Sequence, residues 1–449
     1  MSQVTDMTSG KPAKLMLTFA LPVIVTNFGQ QLYQIVDAAI VGRGVGVDAL
    51  AAVGCTDWTY WLIMWSMSVM TAGFATFVSR FFGSRDYVKM NRAIISMSVL
   101  SGVIALTLTV IGLVLARPLL VFLGTPDDIL GDAVIYLSTM IAGTAIMTAY
   151  NLAGAILRAF GDGRSPLLAM ITAAVLNILL DLLFVMVFKW GVFGAAVASV
   201  TSQLAAFVFC ILRLRKIEYI KFDAEARKWD GKLALEILAF GLPLALQYVI
   251  INFGGMIVQS TINSQGSSFI AGYTATNKLY GLLECTAISF GNAYTTFASQ
   301  NYGAGNYRRV RSGVNTAMIL AVGAALAIMA VVLPLNRILP QLFMDITEAG
   351  ADVSLDVASR YLVNMTLSLP ILYLVYVHRN NLQAIGNSSW SLISGIAEAV
   401  SRVVMAKVMF SFIGVDVLFF IEPVAWLFAW VFVLVPYYFY QRKRLPVGN

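Results

Sequence analysis

The sequence contains few charged residues. Asp, Glu, Lys and Arg make up only 12% of its 449 residues, whereas 59% of the residues are hydrophobic. A soluble domain averages about 25% charged residues and less than about 50% apolar ones. The mean hydropathy of +0.80 agrees with this imbalance. The composition therefore excludes a soluble globular domain and is typical of a polytopic membrane protein.

The sequence also has little histidine and cysteine. The single histidine, His378, argues against histidine-dependent membrane enzymes and histidine metal clusters. Cys55, Cys210 and Cys285 each lie in an apolar run, without disulfide or metal-binding spacing, so we expect buried free thiols. The polar stretch that precedes the first apolar run does not have the pattern of a cleavable signal. We therefore expect a membrane protein that is not an enzyme.

Long apolar runs occupy most of the chain. A membrane-spanning helix needs about 20 apolar residues, and twelve segments meet this condition. Their approximate ranges are 15–41, 49–79, 92–116, 130–157, 166–188, 192–214, 233–263, 269–299, 312–336, 355–378, 390–413 and 417–440. The sequence therefore predicts an all-α polytopic membrane protein with twelve transmembrane helices.

Lys and Arg are concentrated in alternate connections between these segments. Basic residues follow spans 2, 4, 6 and 8, precede span 1, precede span 11 at Arg379 and end the chain. The connection after span 9 is acidic instead, through Asp345, Glu348, Asp352 and Asp356. Because basic loops stay in the cytoplasm, both termini are predicted to be cytoplasmic. This sorting explains the net charge of +7 without a nucleic-acid partner.

The two halves of the chain resemble each other. Three motif pairs recur in the same order and at a nearly constant spacing, namely Phe19–Pro22 with Phe240–Pro243, Ser79–Tyr87 with Ser299–Tyr307, and Leu157–Gly163 with Leu382–Ser388. We predict an N-lobe at 1–214, a cytoplasmic linker at 215–232 and a C-lobe at 233–449. Six spans per lobe imply a pseudo-two-fold axis along the membrane normal, which is an architecture of alternating-access transporters.

Span 1 carries a polar stripe. Asn27, Gln30, Gln34 and Asp37 follow each other at steps of three or four residues, so they share one helix face. Such a face is costly against lipid and should point to a bundle interior or a wet cavity. Pro22 removes a backbone hydrogen bond and favours a bend, so it is a candidate hinge. The alternative is that Asp37 lies at the helix end, is hydrated there and has no role.

Spans 5 and 6 carry polar residues one helical turn apart. Asn177 and Asp181 share a face of span 5, and Ala195 and Ser199 share a face of span 6. Carboxylate, amide, hydroxyl and carbonyl oxygens suit a hard cation such as Na⁺, or a hydrogen-bonded proton. If Asp37 and Asp181 meet in a low-dielectric site, both cannot stay ionised cheaply, and the pair will hold a proton or a cation. The alternative is a structural hydrogen-bond cluster.

The second half has different acidic residues. Asp37 and Asp181 have no acidic counterparts there, but span 8 contains Glu284 and span 11 contains Glu398. Both are candidates for binding a cationic substrate, as is Gln34 in span 1. Arg402 lies four residues after Glu398, so an intrahelical ion pair is the alternative for that carboxylate. The sequence assigns no role to Glu422 of span 12.

These residues resemble the multidrug and toxic compound extrusion (MATE) family, most closely its bacterial DinF-type branch. The resemblance rests on Leu21-Pro22 with Asp37, on Asn177 and Asp181 with Ser199, and on the runs 191–199 and 157–161. It implies that Asp37, Asn177, Asp181, the Ala195 carbonyl and the Ser199 hydroxyl form the cation site, and that span 1 bends at Pro22. Family members often have Thr at the Ser199 position. NorM-type members also carry acidic residues in spans 7 and 10, which this chain lacks in mid-span.

The resemblance implies an antiporter that exports organic, cationic amphiphiles in exchange for H⁺ or Na⁺ and needs no other cofactor. We expect a monomer in the bacterial cytoplasmic membrane, in contact with small-molecule drugs and the lipid bilayer. The first alternative is a flippase for a lipid-linked precursor, which more often has a cationic cleft. A membrane-embedded transferase would need a convergent acid–base or metal set, and a passive channel does not need the repeat.

Overall fold

The computed structural model describes residues 4–344 and 350–445, the side chains of Val47, Trp58 and 440–444 excepted. Asp345 and Glu348 of the predicted acidic connection lie outside the described residues. All regular secondary structure within them is helical. The α-helices are α1 Pro12–Gly44, α2 Val47–Gly83, α3 Tyr87–Phe122, α4 Asp127–Ala142, α5 Thr144–Ala159, α6 Arg164–Asp181, α7 Gly191–Leu214, α8 Gly231–Asn263, α9 Ser267–Gly303, α10 Tyr307–Val332, α11 Ala351–Leu367, α12 Leu369–Ala384, α13 Ser389–Val403, α14 Phe410–Ile413 and α15 Ile421–Arg444.

These helices account for the twelve predicted spans. Within the described residues, eight helical segments are long and apolar enough to cross a membrane, and the bent pairs α4–α5 (45°) and α11–α12 (47°) make two more. The last two spans are α9, which carries the half-buried Glu284, and the segment from α13 to α14, which carries the buried Glu398 and Arg402. The all-α, twelve-helix fold predicted from the sequence is confirmed.

The chain divides into two compact units. Among the described residues, the first unit comprises 4–6 together with Leu21–Ala245, and the second comprises Met7–Ala20 together with 246–344 and 350–445. Each boundary inside a helix lies close to a proline, Pro22 in α1 and Pro243 in α8. The finer division into 1–214, 215–232 and 233–449 stays a prediction.

Local backbone features recur between the two halves. A π-helical turn follows α6 at Leu182–Val187, and another follows α13 at Val404–Met409. Glycines with positive φ precede α6 at Gly161 (75°) and α13 at Gly386 (93°). A second pair occurs at Gly191 (59°), where α7 begins, and at Gly414 (82°), just before the short 3₁₀ helix Val415–Phe420 that leads into α15. These matched turns define which residues of the two halves correspond.

One sequence assignment was wrong. The sequence predicts that Arg379 lies in a cytoplasmic connection, but α12 continues to Ala384 and the Arg379 side chain is only 7% exposed. Hydropathy falls at residues 378–381, so the predicted span ended too early. The polar side chains are tolerated because they are paired inside the unit, as the Arg379 contacts described below show.

A candidate ion-coupling site

Helix α1 lies close to α6 and to the turn that follows it. A Cβ atom placed on Gly29 would lie 2.5 Å from Met170 Cε of α6, and one on Gly44 would lie 2.9 Å from Val185 Cγ1. Small residues allow such close approach of membrane helices. Because Asp37 lies between these two glycines, the packing brings its carboxyl group towards α6.

Asp37, Asn177 and Asp181 come together in the first unit. Asp181 is fully buried, Asn177 is 1% exposed, and the carboxyl groups of Asp37 and Asp181 are in contact. Four of their buried oxygens have no hydrogen-bond donor: Asp37 Oδ1, Asn177 Oδ1 and both Asp181 carboxyl oxygens. Leaving a buried polar atom unpaired costs about 1–3 kcal/mol, more for a charged group. The site therefore has an excess of acceptors.

Helix α7 supplies the next side of the site. The Asn177 amide nitrogen lies 3.4 Å from the Ser199 hydroxyl oxygen, a long hydrogen bond between α6 and α7. The amide nitrogen of Asn177 thus has Ser199 as its partner, whereas the amide oxygen has no donor. Ala195 lies one turn before Ser199 and is fully buried. The five residues expected at the cation site thus belong to three helices of one unit.

Two tyrosines near the site were missed from the sequence. Tyr33 is in contact with the Gln203 side chain of α7 and lies within electrostatic range of both Asp37 and Asp181. Tyr136 of α4 is buried and also lies near Asp37. Tyr33 is four residues before Asp37, so helical spacing could have indicated it. Gln34, the candidate that the sequence predicts on this helix, is half-buried.

The arrangement can hold a small cation or a shared proton. A proton between the two carboxyl groups, or a cation among the four acceptor oxygens, would satisfy atoms that otherwise lack partners. The described residues contain no group of three His, Cys, Asp or Glu side chains suited to a metal ion. The donor set, two carboxylates with an amide, fits a monovalent ion or a proton better than a tightly bound divalent metal.

Pro22 lies in the interior of α1, about three turns after the helix begins. It cannot donate a backbone hydrogen bond, while its own carbonyl accepts a hydrogen bond from the Thr26 hydroxyl at 2.8 Å. A side chain that bonds back to the preceding turn favours bending. The local structure is therefore compatible with the hinge predicted at Pro22.

Glu284 lies in a group of tyrosines within the second unit. The Tyr376 hydroxyl of α12 donates a hydrogen bond to Glu284 Oε1 at 2.8 Å. The Tyr280 side chain, one turn earlier on α9, also contacts Glu284. A carboxylate bordered by aromatic rings has the chemistry of an organic-cation site.

Glu398 has a different environment. Arg379 Nη2 lies 2.6 Å from Glu398 Oε2, and Arg402 Nη2 lies 3.0 Å from Oε1. Arg402 Nη2 also lies 2.6 Å from Glu422 Oε2. Glu422 is therefore an ion-pair partner of Arg402. All four of these side chains are buried. Both Glu398 oxygens are thus engaged by arginines, which favours the structural alternative over substrate binding for this residue.

Known proteins are similar to this chain in both sequence and fold. The chain is 30% identical over 306 residues to "Probable multidrug resistance protein YpnP" of Bacillus subtilis, a match that covers 68% of each chain. It is 23% identical over 405 residues to "Multidrug export protein MepA" of Staphylococcus haemolyticus, covering 89% of this chain and 88% of that protein. A solved structure described as an outward-facing multidrug resistance MATE family transporter of the MOP superfamily superposes with a TM-score of 0.91 at 21% identity, covering 100% of both chains.

The family profile of MatE matches the chain twice, at residues 22–183 and 243–408. The first match begins at Pro22 and the second at Pro243, the prolines of the first motif pair, so the profile reproduces the internal repeat. Together the two matches cover more than half of the chain. The protein belongs to the MatE family of membrane transporters.

Proposed function

We propose that the protein is a multidrug efflux antiporter, which exports organic cationic compounds in exchange for H⁺ or Na⁺. The observation that carries this proposal is the group of four unpaired buried oxygens on Asp37, Asn177 and Asp181. A transporter that exchanges one cation for another needs a site that is stable only when occupied. The names of the relatives, a multidrug resistance protein and a multidrug export protein, support export of drugs.

The coupling follows from linkage. Ion binding at Asp37 and Asp181 can drive a conformational change only if the two conformations bind the ion with different affinity. Asp37 lies on α1, beyond Pro22, whereas Asn177 and Asp181 lie on α6. Movement of α1 would therefore separate the ligands, and occupancy of the site would favour the conformation that keeps them together. Ala195 and Ser199 of α7 complete the proposed cation site.

The substrate class follows from the second unit. Glu284, with Tyr376 and Tyr280 at its sides, offers one negative charge and aromatic faces to a cation. A large organic cation can bind favourably to both the carboxylate and the aromatic faces, whereas a hydrated inorganic ion gains little binding free energy from the rings. Gln34 remains a further substrate candidate from the sequence, whereas the two arginines bound to Glu398 make a structural role the better proposal for that residue. We propose that the transporter acts as a monomer in the bacterial cytoplasmic membrane with both termini in the cytoplasm.

Replacement of Asp37 by Asn tests this function. The variant keeps the shape of the side chain but removes the charge, so we expect drug susceptibility to return to that of cells lacking the protein while membrane insertion is unchanged. Asp48→Asn is the matched control, because Asp48 is exposed at the start of α2. It should leave resistance as in the wild type.

Two results would contradict the proposal. Normal resistance in cells producing Asp37→Asn would show that this carboxylate is not needed. Failure of the wild type to move any cationic dye, together with complementation of a lipid-carrier defect, would favour the flippase for lipid-linked precursors instead.

A further inference from the structure

Arg402 occupies, in the second half of the chain, the position that Asn177 occupies in the first. Each is the fourteenth residue of its helix, α6 from Arg164 and α13 from Ser389. The glycines with positive φ that precede the two helices, Gly161 and Gly386, have the same separation in sequence as Asn177 and Arg402. Both helices are continuous up to these positions, so the correspondence does not depend on an insertion or a gap.

Glu422 corresponds to Ser199 in the same way. Ser199 is the eighth residue after Gly191, and Glu422 is the eighth residue after Gly414, the other matched pair of glycines. The contacts agree with this correspondence. Asn177 bonds to Ser199 at 3.4 Å in the first unit, and Arg402 bonds to Glu422 at 2.6 Å in the second. The same two positions are therefore joined in each half, by a neutral pair in one and by an ion pair in the other.

The guanidinium group of Arg402 joins three helices. It donates to Glu422 at the start of α15, pairs with Glu398 of its own helix α13, and donates from Nη1 to the Ile251 carbonyl of α8 at 3.2 Å. Helices α8, α13 and α15 are the second-half counterparts of α1, α6 and α7. These three first-half helices carry the ligands of the proposed cation site.

The second half lacks the acids of the first site. Depending on how α1 and α8 are aligned, the counterpart of Asp37 is Met256, Ile257 or Val258. All three of these residues are apolar. In the register that matches Asn177 with Arg402, the counterpart of Asp181 is Ala406. The negative charge comes instead from Glu398 and Glu422, and Arg379 and Arg402 balance it within the described residues. No exchangeable ion is needed to neutralise this group.

We propose that the Arg402 guanidinium is a built-in cation, fixed in the second half at the place where the first half binds its exchangeable ion. This inference rests on the proposed function for the comparison with the first half. It implies that α8, α13 and α15 are held together permanently, and that ion-dependent rearrangement belongs to α1, α6 and α7. Arg402 is thus a positioning residue, which touches neither substrate nor coupling ion.

Chemical rescue of Arg402→Ala tests the proposal. The truncation leaves a space the size of a guanidinium group between two buried carboxylates. We expect the detergent-purified variant to melt below the wild type. About 10 mM guanidinium chloride should raise the midpoint of the variant by about 1 °C or more, relative to choline chloride at equal concentration. The wild type and Arg360→Ala, which truncates an exposed ion-paired arginine of the same unit, should show no such rise. Equal effects of guanidinium and choline would overturn the proposal.

The reciprocal variant Asn177→Arg keeps the proposal testable if Arg402→Ala does not fold. It places a guanidinium beside Asp37 and Asp181, so we expect a folded protein whose melting no longer responds to Na⁺ or acidification and whose transport is lost. An unfolded Asn177→Arg protein, or one that responds to these ions as the wild type does, contradicts the proposal. If the wild type itself does not respond, the proposed function fails at the first site, while guanidinium rescue of Arg402→Ala still decides the inference.

Discussion

In the proposed coupling, the residues that matter most are those whose buried oxygens lack hydrogen-bond donors. In the first half, Asp181 is fully buried and neither of its carboxyl oxygens has a donor. In the second half, Glu398 is also buried, yet both of its oxygens contact arginines. Because unpaired buried charges are costly, the proposed coupling assigns a bound proton or cation to the first arrangement and none to the second.

A different residue stores strain in the backbone. Arg85 has φ of 58°, in the left-handed region, whereas its counterpart in the second half is Gly305 with φ of 74°. The left-handed conformation costs an L-residue with a side chain about 1–2 kcal/mol. We therefore expect Arg85→Gly to raise the thermal midpoint of the purified protein. Ser84→Gly is the control, since Ser84 has φ of −77° and should gain nothing. A lower midpoint for Arg85→Gly than for Ser84→Gly would contradict this explanation.

At the scale of helices, the sequence predicted the residues that share one face of a helix, because their spacing is visible in the sequence. The polar stripe of α1 led to Asp37, and the spacing of four residues led to Asn177 and Asp181, which the structure brings together. The π-helical turn at Leu182–Val187 could not be predicted, because such turns arise from tertiary packing and not from local propensity. The burial of Arg379 was missed for a similar reason, since its partner Glu398 is distant in sequence.

Helix packing gives a second prediction. A Cβ atom on Gly272 of α9 would lie 2.3 Å from the Ser354 carbonyl oxygen of α11, which is backbone and cannot move aside easily. We expect Gly272→Ala to lower the free energy of unfolding by about 1–3 kcal/mol. Gly323→Ala in α10 is the matched control, because nothing lies within 4 Å of its added Cβ. Thermal melting of both variants checks this, and equal midpoints would show that α9 and α11 are packed less closely.

The whole molecule is a repeat in which the halves have diverged in chemistry. The matched glycines, the π-helical turns and the double match to the family profile all reflect a shared fold. The first half has buried acceptor oxygens without donors, and the second has a network of paired carboxylates and arginines. The sequence predicted the repeat because its motifs kept their spacing. It did not predict the Arg402–Glu422 pair, because residues on α13 and α15 meet only through the fold.

The most direct measurement is dye efflux from reconstituted vesicles under an imposed proton or Na⁺ gradient, with wild type and Asp37→Asn side by side. The proposed coupling predicts that one of the two gradients drives cationic dye across the membrane by the wild type, and that dissipating the gradient stops transport. Asp37→Asn should show no gradient-driven transport despite equal incorporation. Gradient-driven efflux by Asp37→Asn at the wild-type rate would contradict the account.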